Sequence, residues 1–204
     1  MSVETDREVK RSPASGLVII ISAPSGAGKD TILRRVLARD PRIAYSISMT
    51  TRAPRCGERD GYDYYFVDCA TFERVRDSGG LFEWAEVHGN LYGTPREEVD
   101  RLTASGKDVI LELDVQGMRN VREAGVDAAT IFIMAPSIEE LERRLTARAT
   151  DSAEEIARRV ARAREEIKER HEFDYIVIND DLNTAVEDLE AIIRSQRLRS
   201  SRQP

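Results

Sequence analysis

Leu17-Val18-Ile19-Ile20-Ile21-Ser22-Ala23-Pro24-Ser25-Gly26-Ala27-Gly28-Lys29-Asp30-Thr31 is the stretch that decides the fold. Leu17 to Ile21 are apolar without alternation and β-branched at the centre, the pattern of a strand buried on both faces of a parallel sheet. The run stops in a turn of small residues carrying one lysine, and a helical pattern follows at once through Ile32, Leu33, Val36 and Leu37. Strand, glycine loop, lysine and helix together form a cradle for phosphate. The backbone N–H groups of Ser25 through Lys29 are expected to converge on one cavity, with Gly26 and Gly28 letting the main chain approach an anion closely. The N-terminus of the helix adds positive potential there, and Lys29 is expected on the β- and γ-phosphates of a nucleoside triphosphate.

Two positions depart from the usual Gly-x-x-x-x-Gly-Lys-Ser/Thr spacing. Ala23 stands at the first glycine, and Asp30 stands where a hydroxyl would touch Mg²⁺. A carboxylate can ligate Mg²⁺, often through water, but repels phosphate oxygens when the metal is absent. Asp30 is therefore the candidate metal ligand. It is expected to couple metal and nucleotide binding more strongly than a serine would. Thr31 is one residue out of register for that role.

Outward from this unit, strands and helices alternate, which predicts an α/β fold with a mostly parallel sheet. The first helix should stop at Asp40-Pro41. Further strands are expected over 43–49, 108–114, 128–135 and 175–178. Helices are expected over 116–124, from Pro136-Ser137 to 149, from Asp151 or Ser152 to 172, and from an Asp181 cap to 198. The third of these carries Ile156, Val160, Ala163 and Ile167 on one stripe. Residues 50–106 interrupt the alternation with an arginine- and glycine-rich loop (50–63), a short strand (64–67), a helix (70–78) and β-structure over 81–89 and 91–93. Thr94-Pro95-Arg96-Glu97 then reads as a helix start: threonine cap, proline at the first position, glutamate three after the cap. Residues 1–15 read as a frayed leader, and the tail 200–204 should also fray.

The chain has 204 residues, a net charge of −6, and 41% hydrophobic and 33% charged residues. That suits one solvated domain with a real core, and its acidic balance argues against a nucleic-acid partner. No run of about 18 apolar residues predicts a membrane span, and the N-terminus lacks the apolar region of a secretory signal. Cys56 and Cys69 fit neither a disulfide framework nor a metal site, and His88 and His171 are isolated. A reduced, cytoplasmic protein without zinc is the expectation. A homo-oligomer stays open.

A second cluster lies at Ser46-Ile47-Ser48-Met49-Thr50-Thr51-Arg52-Ala53-Pro54-Arg55-Cys56-Gly57-Glu58, followed by Gly61 and Tyr64. Two arginines and a tyrosine on one loop suit a phosphate clamp, since arginine binds phosphate bidentately. With this cluster on the page the chain resembles one family, the guanylate kinases, from about residue 16 to 202. The resemblance rests on five motifs in order: Ser-Ala-Pro-Ser-Gly-Ala-Gly-Lys, Thr-Thr-Arg-x-Pro-Arg-x-Gly-Glu, Phe-Glu-Trp-Ala-Glu-Val, Gly-Asn-x-Tyr-Gly-Thr and Val-Ile-Asn-Asp-Asp.

The resemblance implies a P-loop NTPase-type parallel sheet flanked by helices (16–49, 107–135 and 173–204). It adds a β-rich inserted lobe for the nucleoside monophosphate (50–106) and a helical lid (136–172). It implies transfer of a phosphoryl group from ATP to GMP, with dGMP a further substrate, in the presence of Mg²⁺. By the same resemblance Arg52, Arg55, Tyr64 and Tyr92 hold the GMP phosphate, and Ser48, Glu83, Thr94 and Asp114 meet the guanine. The base chemistry agrees, because guanine offers N1–H and N2–H₂ donors on one edge and carboxylates accept them. Thr94 carries two readings, helix cap and guanine contact. Glu112 stands where the family usually has aspartate and belongs to the same GMP set. Arg144, Arg148 and Arg159 are the implied lid arginines, with Lys29 and Arg52 completing the catalytic group. Asn179 is implied at the adenine, and Ala149 replaces a glycine usual after the second lid arginine. About half of the arginines in 143–162 are expected simply to face solvent beside Glu154, Glu155, Glu165 and Glu166.

Three rivals are weighed. A kinase for a phosphorylated sugar would not need Glu83 and Asp114. A non-catalytic guanylate-kinase-like binding module would not need Lys29. A GTPase switch would carry an Asn-Lys-x-Asp string, which this sequence lacks.

Overall fold

The computed structural model describes residues 16–87, 89–147 and 152–202. The predicted leader, His88, Arg148 and Ala149 lie outside those residues. In chain order the first elements are β1 (Val18–Ser22), α1 (Lys29–Arg39), β2 (Ile43–Tyr45), β3 (Met49–Thr50), β4 (Tyr65–Phe66), α2 (Cys69–Asp77), β5 (Leu81–Val87) and β6 (Asn90–Pro95). Then follow α3 (Arg96–Ala104), β7 (Asp108–Glu112), α4 (Val115–Glu123), β8 (Ala128–Met134), α5 (Ile138–Ala147), α6 (Ala153–Lys168), β9 (Tyr175–Ile178) and α7 (Leu182–Arg197).

The core sheet runs β2-β7-β1-β8-β9, every neighbouring pair parallel. β1 at its centre explains the unbroken apolar run, because both faces are covered. Ile19 and Ile21 join a cluster with Ile32, Leu33 and Val36 of α1 and Val186, Leu189 and Ile193 of α7. Ile20 faces the other way, into Val99 and Leu102 of α3 and Met118 and Val121 of α4. Each such side chain contributes about 1.5–3 kcal/mol when taken from water. A second sheet, β4-β3-β6-β5, is built from residues 49–95. Its β5 and β6 form a hairpin turned at Gly89, whose φ is 73°. Leu141, Leu145, Val160 and Ala163 make a third, smaller core between α5 and α6.

Several predicted boundaries are corrected. The strand expected over 43–49 is two strands in two sheets. β2 ends at Tyr45, Ser46 N still donates to Ile110 O, and the chain then leaves to pair Met49–Thr50 with β6 and β4. Ser46 and Ser48 interrupt the apolar run here, and the backbone carbonyl of Ser48 already accepts from Tyr65 N in the second sheet. Thr94 is not a helix cap. It stays in β6, Pro95 occupies the cap position of α3 without a side-chain bond, and Arg96 N donates to Gly80 O instead. The strand expected to reach 114 ends at Glu112, and Asp114 caps α4 by accepting from Gly117 N at 2.8 Å. The helix expected to reach 172 ends at Lys168, followed by a 3₁₀ turn over Glu169–Glu172. The tail expected to fray from 200 forms a 3₁₀ turn over Ser200–Arg202, held by Arg202 on Asp127 at 2.7 Å.

Candidate active site

The loop between β1 and α1 takes its shape from two glycines in the left-handed region, Gly26 at φ 90° and Gly28 at φ 88°. Non-glycine residues reach that region at a cost. A Cβ on Gly28 would lie 2.3 Å from Nδ2 of Asn179, so the loop also needs the room. The buried Asn179 amide donates to Ala27 O at 2.8 Å, and its own backbone carbonyl accepts from Arg144 Nη2 at 2.9 Å. Asn179 thus braces the loop from below and ties it to Arg144 of α5. Ala23, Pro24, Ser25, Gly26, Gly28, Lys29, Asp30 and Thr31 all line one cleft of about 780 Å³.

Lys29 opens α1 and meets two carboxylates. Its Nζ donates to Asp30 Oδ1 at 2.9 Å and forms a close ion pair with Glu112 at the end of β7. Burial would lower the ammonium's pKa, but Glu112 and then Asp30 outweigh it and hold the group above its usual range. Tyr45 at the end of β2 hydrogen-bonds Glu112, and burial together with that carboxylate drives its phenol well above the usual tyrosine range. Glu112, placed by resemblance with the GMP residues, therefore sits against the phosphate-loop lysine.

The arginine loop is internally braced. Arg52 makes a two-pronged pair with Glu58, at 3.0 Å on each prong, and its guanidinium lies 5.4 Å from the Tyr64 ring centre. Tyr64 and Tyr92 meet edge to face at 6.0 Å. Arg55 gives its backbone N–H to Glu58 at 2.7 Å. Arg55 lines both the phosphate-loop cleft and a second cleft of about 610 Å³.

That second cleft contains Ser48, Glu83, Tyr92 and Asp114. Glu83 is only 8% exposed and accepts from Thr94 Oγ1 at 2.8 Å. Burial pushes its carboxyl up to about 7, against the Thr94 hydrogen bonds and with help from Asp114. Thr94 thus serves Glu83 and leaves the α3 cap unserved.

Over both clefts lies α6. Arg162 and Glu166 line the two of them, and Arg158 and Arg159 line the phosphate-loop cleft. Arg143 and Arg158 are mostly exposed and pair with Glu140 and Glu155. Arg144 and Arg159 are the more covered members, paired with Glu140 at 2.7 Å and Glu155 at 3.6 Å. Lys29, Arg55, Tyr64 and Glu112 line both clefts, so the two open onto each other.

The sequence assigns no site role to Tyr45, Glu58, Gln116 or Arg119, and it offers Arg162 only as one of the arginines clustered on the helical pair. Glu58 was legible in principle, six residues after Arg52 on a tight loop. Tyr45 and Arg119 give no signal, because only the crossing of separate elements brings Tyr45 to Glu112 and Arg119 to the second cleft.

A phosphate loop opening on one cleft and a carboxylate-lined cleft facing it define a phosphotransferase fold with room for two nucleotides. Within that class the chain belongs to the guanylate kinase family, whose family model matches residues 15–196. It is 51% identical over 188 residues to the guanylate kinase of Aromatoleum aromaticum, covering 92% of each chain. It is 53% identical over 188 residues to that of Methylobacillus flagellatus, covering 92% and 93%. The crystal structure of guanylate kinase from Anaplasma phagocytophilum superposes with a TM-score of 0.76 at 34% identity, covering 93% of this chain and 90% of that one.

Proposed function

We propose that this protein transfers the γ-phosphoryl group of ATP to GMP, giving ADP and GDP, with dGMP a further acceptor. The observation that carries the reading is the meeting of the two clefts at Lys29, Glu112, Arg55 and Tyr64. ATP takes the phosphate-loop cleft and GMP the other. Lys29 and the loop amides neutralise the β- and γ-phosphates. Arg55, Arg52, Tyr64 and Tyr92 hold the acceptor phosphate. Glu83, Asp114, Ser48 and Thr94 read the guanine edge. An acceptor phosphate oxygen is already anionic, so no general base is required, and positioning with charge neutralisation supplies the rate. The bond from Pγ to the β-bridging oxygen breaks as a bond to the GMP phosphate oxygen forms. Arg144, Arg148 and Arg159 of the lid stabilise the charge on the moving group and exclude water. Asn179 keeps the loop beneath them in register.

The chemistry of the donor set fits Mg²⁺. Asp30 and Glu112 both pair with the Lys29 ammonium, so two carboxylates stand beside the group that would meet the β- and γ-phosphates, and Mg²⁺ is commonly held by one or two carboxylates together with substrate phosphates and waters. No group of three or more metal-type side chains occurs among the described residues. When bound, Mg²⁺ would draw off charge from the β- and γ-oxygens.

No helix among the described residues is long and apolar enough to cross a membrane. The exposed free thiols of Cys56 and Cys69 support a reduced, cytoplasmic setting. The test is ADP release with ATP, Mg²⁺ and a panel of nucleoside monophosphates, with Lys29→Ala as control. GMP should be preferred and the variant should lose at least about a hundredfold in rate. Equal use of AMP, or an active Lys29→Ala enzyme, would overturn the assignment.

A further inference from the structure

Gly117 lies in the first turn of α4, beside two of the second cleft's carboxylates, Glu83 and Asp114. It has no positive φ, so backbone conformation does not call for glycine, and glycine inside a helix is less favourable than alanine. What surrounds it is informative. A Cβ at 117 would stand 2.9 Å from Oε2 of Glu83, 3.3 Å from Cβ of Leu113 and 3.4 Å from Oδ1 of Asp114. Gly117 N meanwhile donates to Asp114 Oδ1 at 2.8 Å. One residue therefore orients the first carboxylate through its N–H and makes room for the second by having no side chain.

The geometry points to Gly117 as a positioning residue for guanine selection, an inference that rests on Glu83 reading the base. Glu83 comes from β5 of the small sheet, and Oε1 is already held by Thr94. Oε2 is the oxygen nearer to α4, and the vacant space at 117 sets how far it can swing toward the helix. Any larger residue moves Oε2 from 2.9 Å to ordinary contact at 3.4 Å or beyond. Glu83 is a flexible side chain and can yield at little structural cost, so the consequence falls on recognition. Asp114 keeps its hydrogen bond in an alanine variant and the approach to Leu113 Cβ, at 3.3 Å, is the milder one, so Glu83 takes the larger change.

The experiment measures KM for GMP and for ATP, kcat and melting temperature for Gly117→Ala, Glu83→Ala and the double variant. Gly117→Ala should raise KM for GMP by about tenfold or more, since misplacing a contact by a fraction of an ångström costs heavily. KM for ATP should be unchanged, and the melting temperature should stay within about 3 °C of wild type. In the Glu83→Ala background the same change should have no further effect on GMP. A wild-type KM for GMP in Gly117→Ala, beside a loss of GMP preference in Glu83→Ala, overturns this inference alone. Parallel losses for ATP and GMP with a fallen melting temperature also overturn it, because the contact with Leu113 would then govern. Retained GMP preference in Glu83→Ala overturns the reading of the base itself.

Discussion

Glu112 at the end of β7 and Lys29 at the start of α1 form an ion pair on the seam where the two clefts join. The phosphate-loop ammonium is thus neutralised before any nucleotide arrives. A triphosphate without metal must compete with that carboxylate, whereas a metal would turn the competitor into a ligand. Glu112→Gln should tighten binding of metal-free ATP by about 1 kcal/mol, roughly fivefold. Titration calorimetry in a chelating buffer measures this, and unchanged or weaker binding would refute the competition.

Asp30 should act in the same sense from the other side. Its carboxylate is mostly exposed and meets Lys29 at 2.9 Å. The ratio of ATP affinities with and without Mg²⁺ should be larger in wild type than in Asp30→Ser by about fivefold or more. Identical ratios would remove Asp30 from the metal's surroundings.

Glu83 predicts how GMP binding follows pH. With its carboxyl raised to about 7, the free protein holds it protonated at pH 6, where an O–H would face guanine's N1–H donor. KM for GMP should therefore fall as pH rises through 7 and level off above 8. The GMP phosphate titrates near pH 6 in any case, so the comparison is with Glu83→Gln, whose profile should keep only that component. Stability has the opposite sign. A folded carboxyl raised above its ordinary value stabilises the fold below about 4.5 and loses that contribution by pH 7. Glu83→Gln should melt higher than wild type at pH 8. A lower melting temperature there would mean that burial does not govern this group.

Asp108 predicts stability, away from catalysis. It is buried at the start of β7, accepts from Leu17 N at 2.9 Å and from Arg197 Nε at 2.6 Å, and Arg197 also reaches Asp40 at 2.8 Å. Removing one member of such a buried set costs about 3–5 kcal/mol. Asp108→Ala should lose that much in urea unfolding while KM values hold. A change under about 1 kcal/mol would show that the pair is dispensable.

Much of this was legible in sequence because it is local. The β1 run, the loop glycines and the caps Asp181 and Ser152 each act within a few residues of themselves. The crossing after Tyr45 was not legible, since 43–49 has the composition of one strand and only the competing sheet separates its ends. Thr94 was ambiguous for a physical reason: one hydroxyl can cap a helix or serve a carboxylate eleven residues back in sequence, and the β5–β6 register decides. The positions of Glu112 and Asn179 followed the same rule, because their partners Lys29 and Ala27 lie 83 and 152 residues away.

Glu83 belongs to the small sheet, while Asp114 follows directly on a strand of the large one. If both read one purine, that purine stitches the lobes together from within. A base lacking the matching donors would leave the stitch undone and the molecule ajar. Choosing the acceptor and shutting the chamber would then be a single event, so the wrong monophosphate is turned away before any triphosphate is consumed.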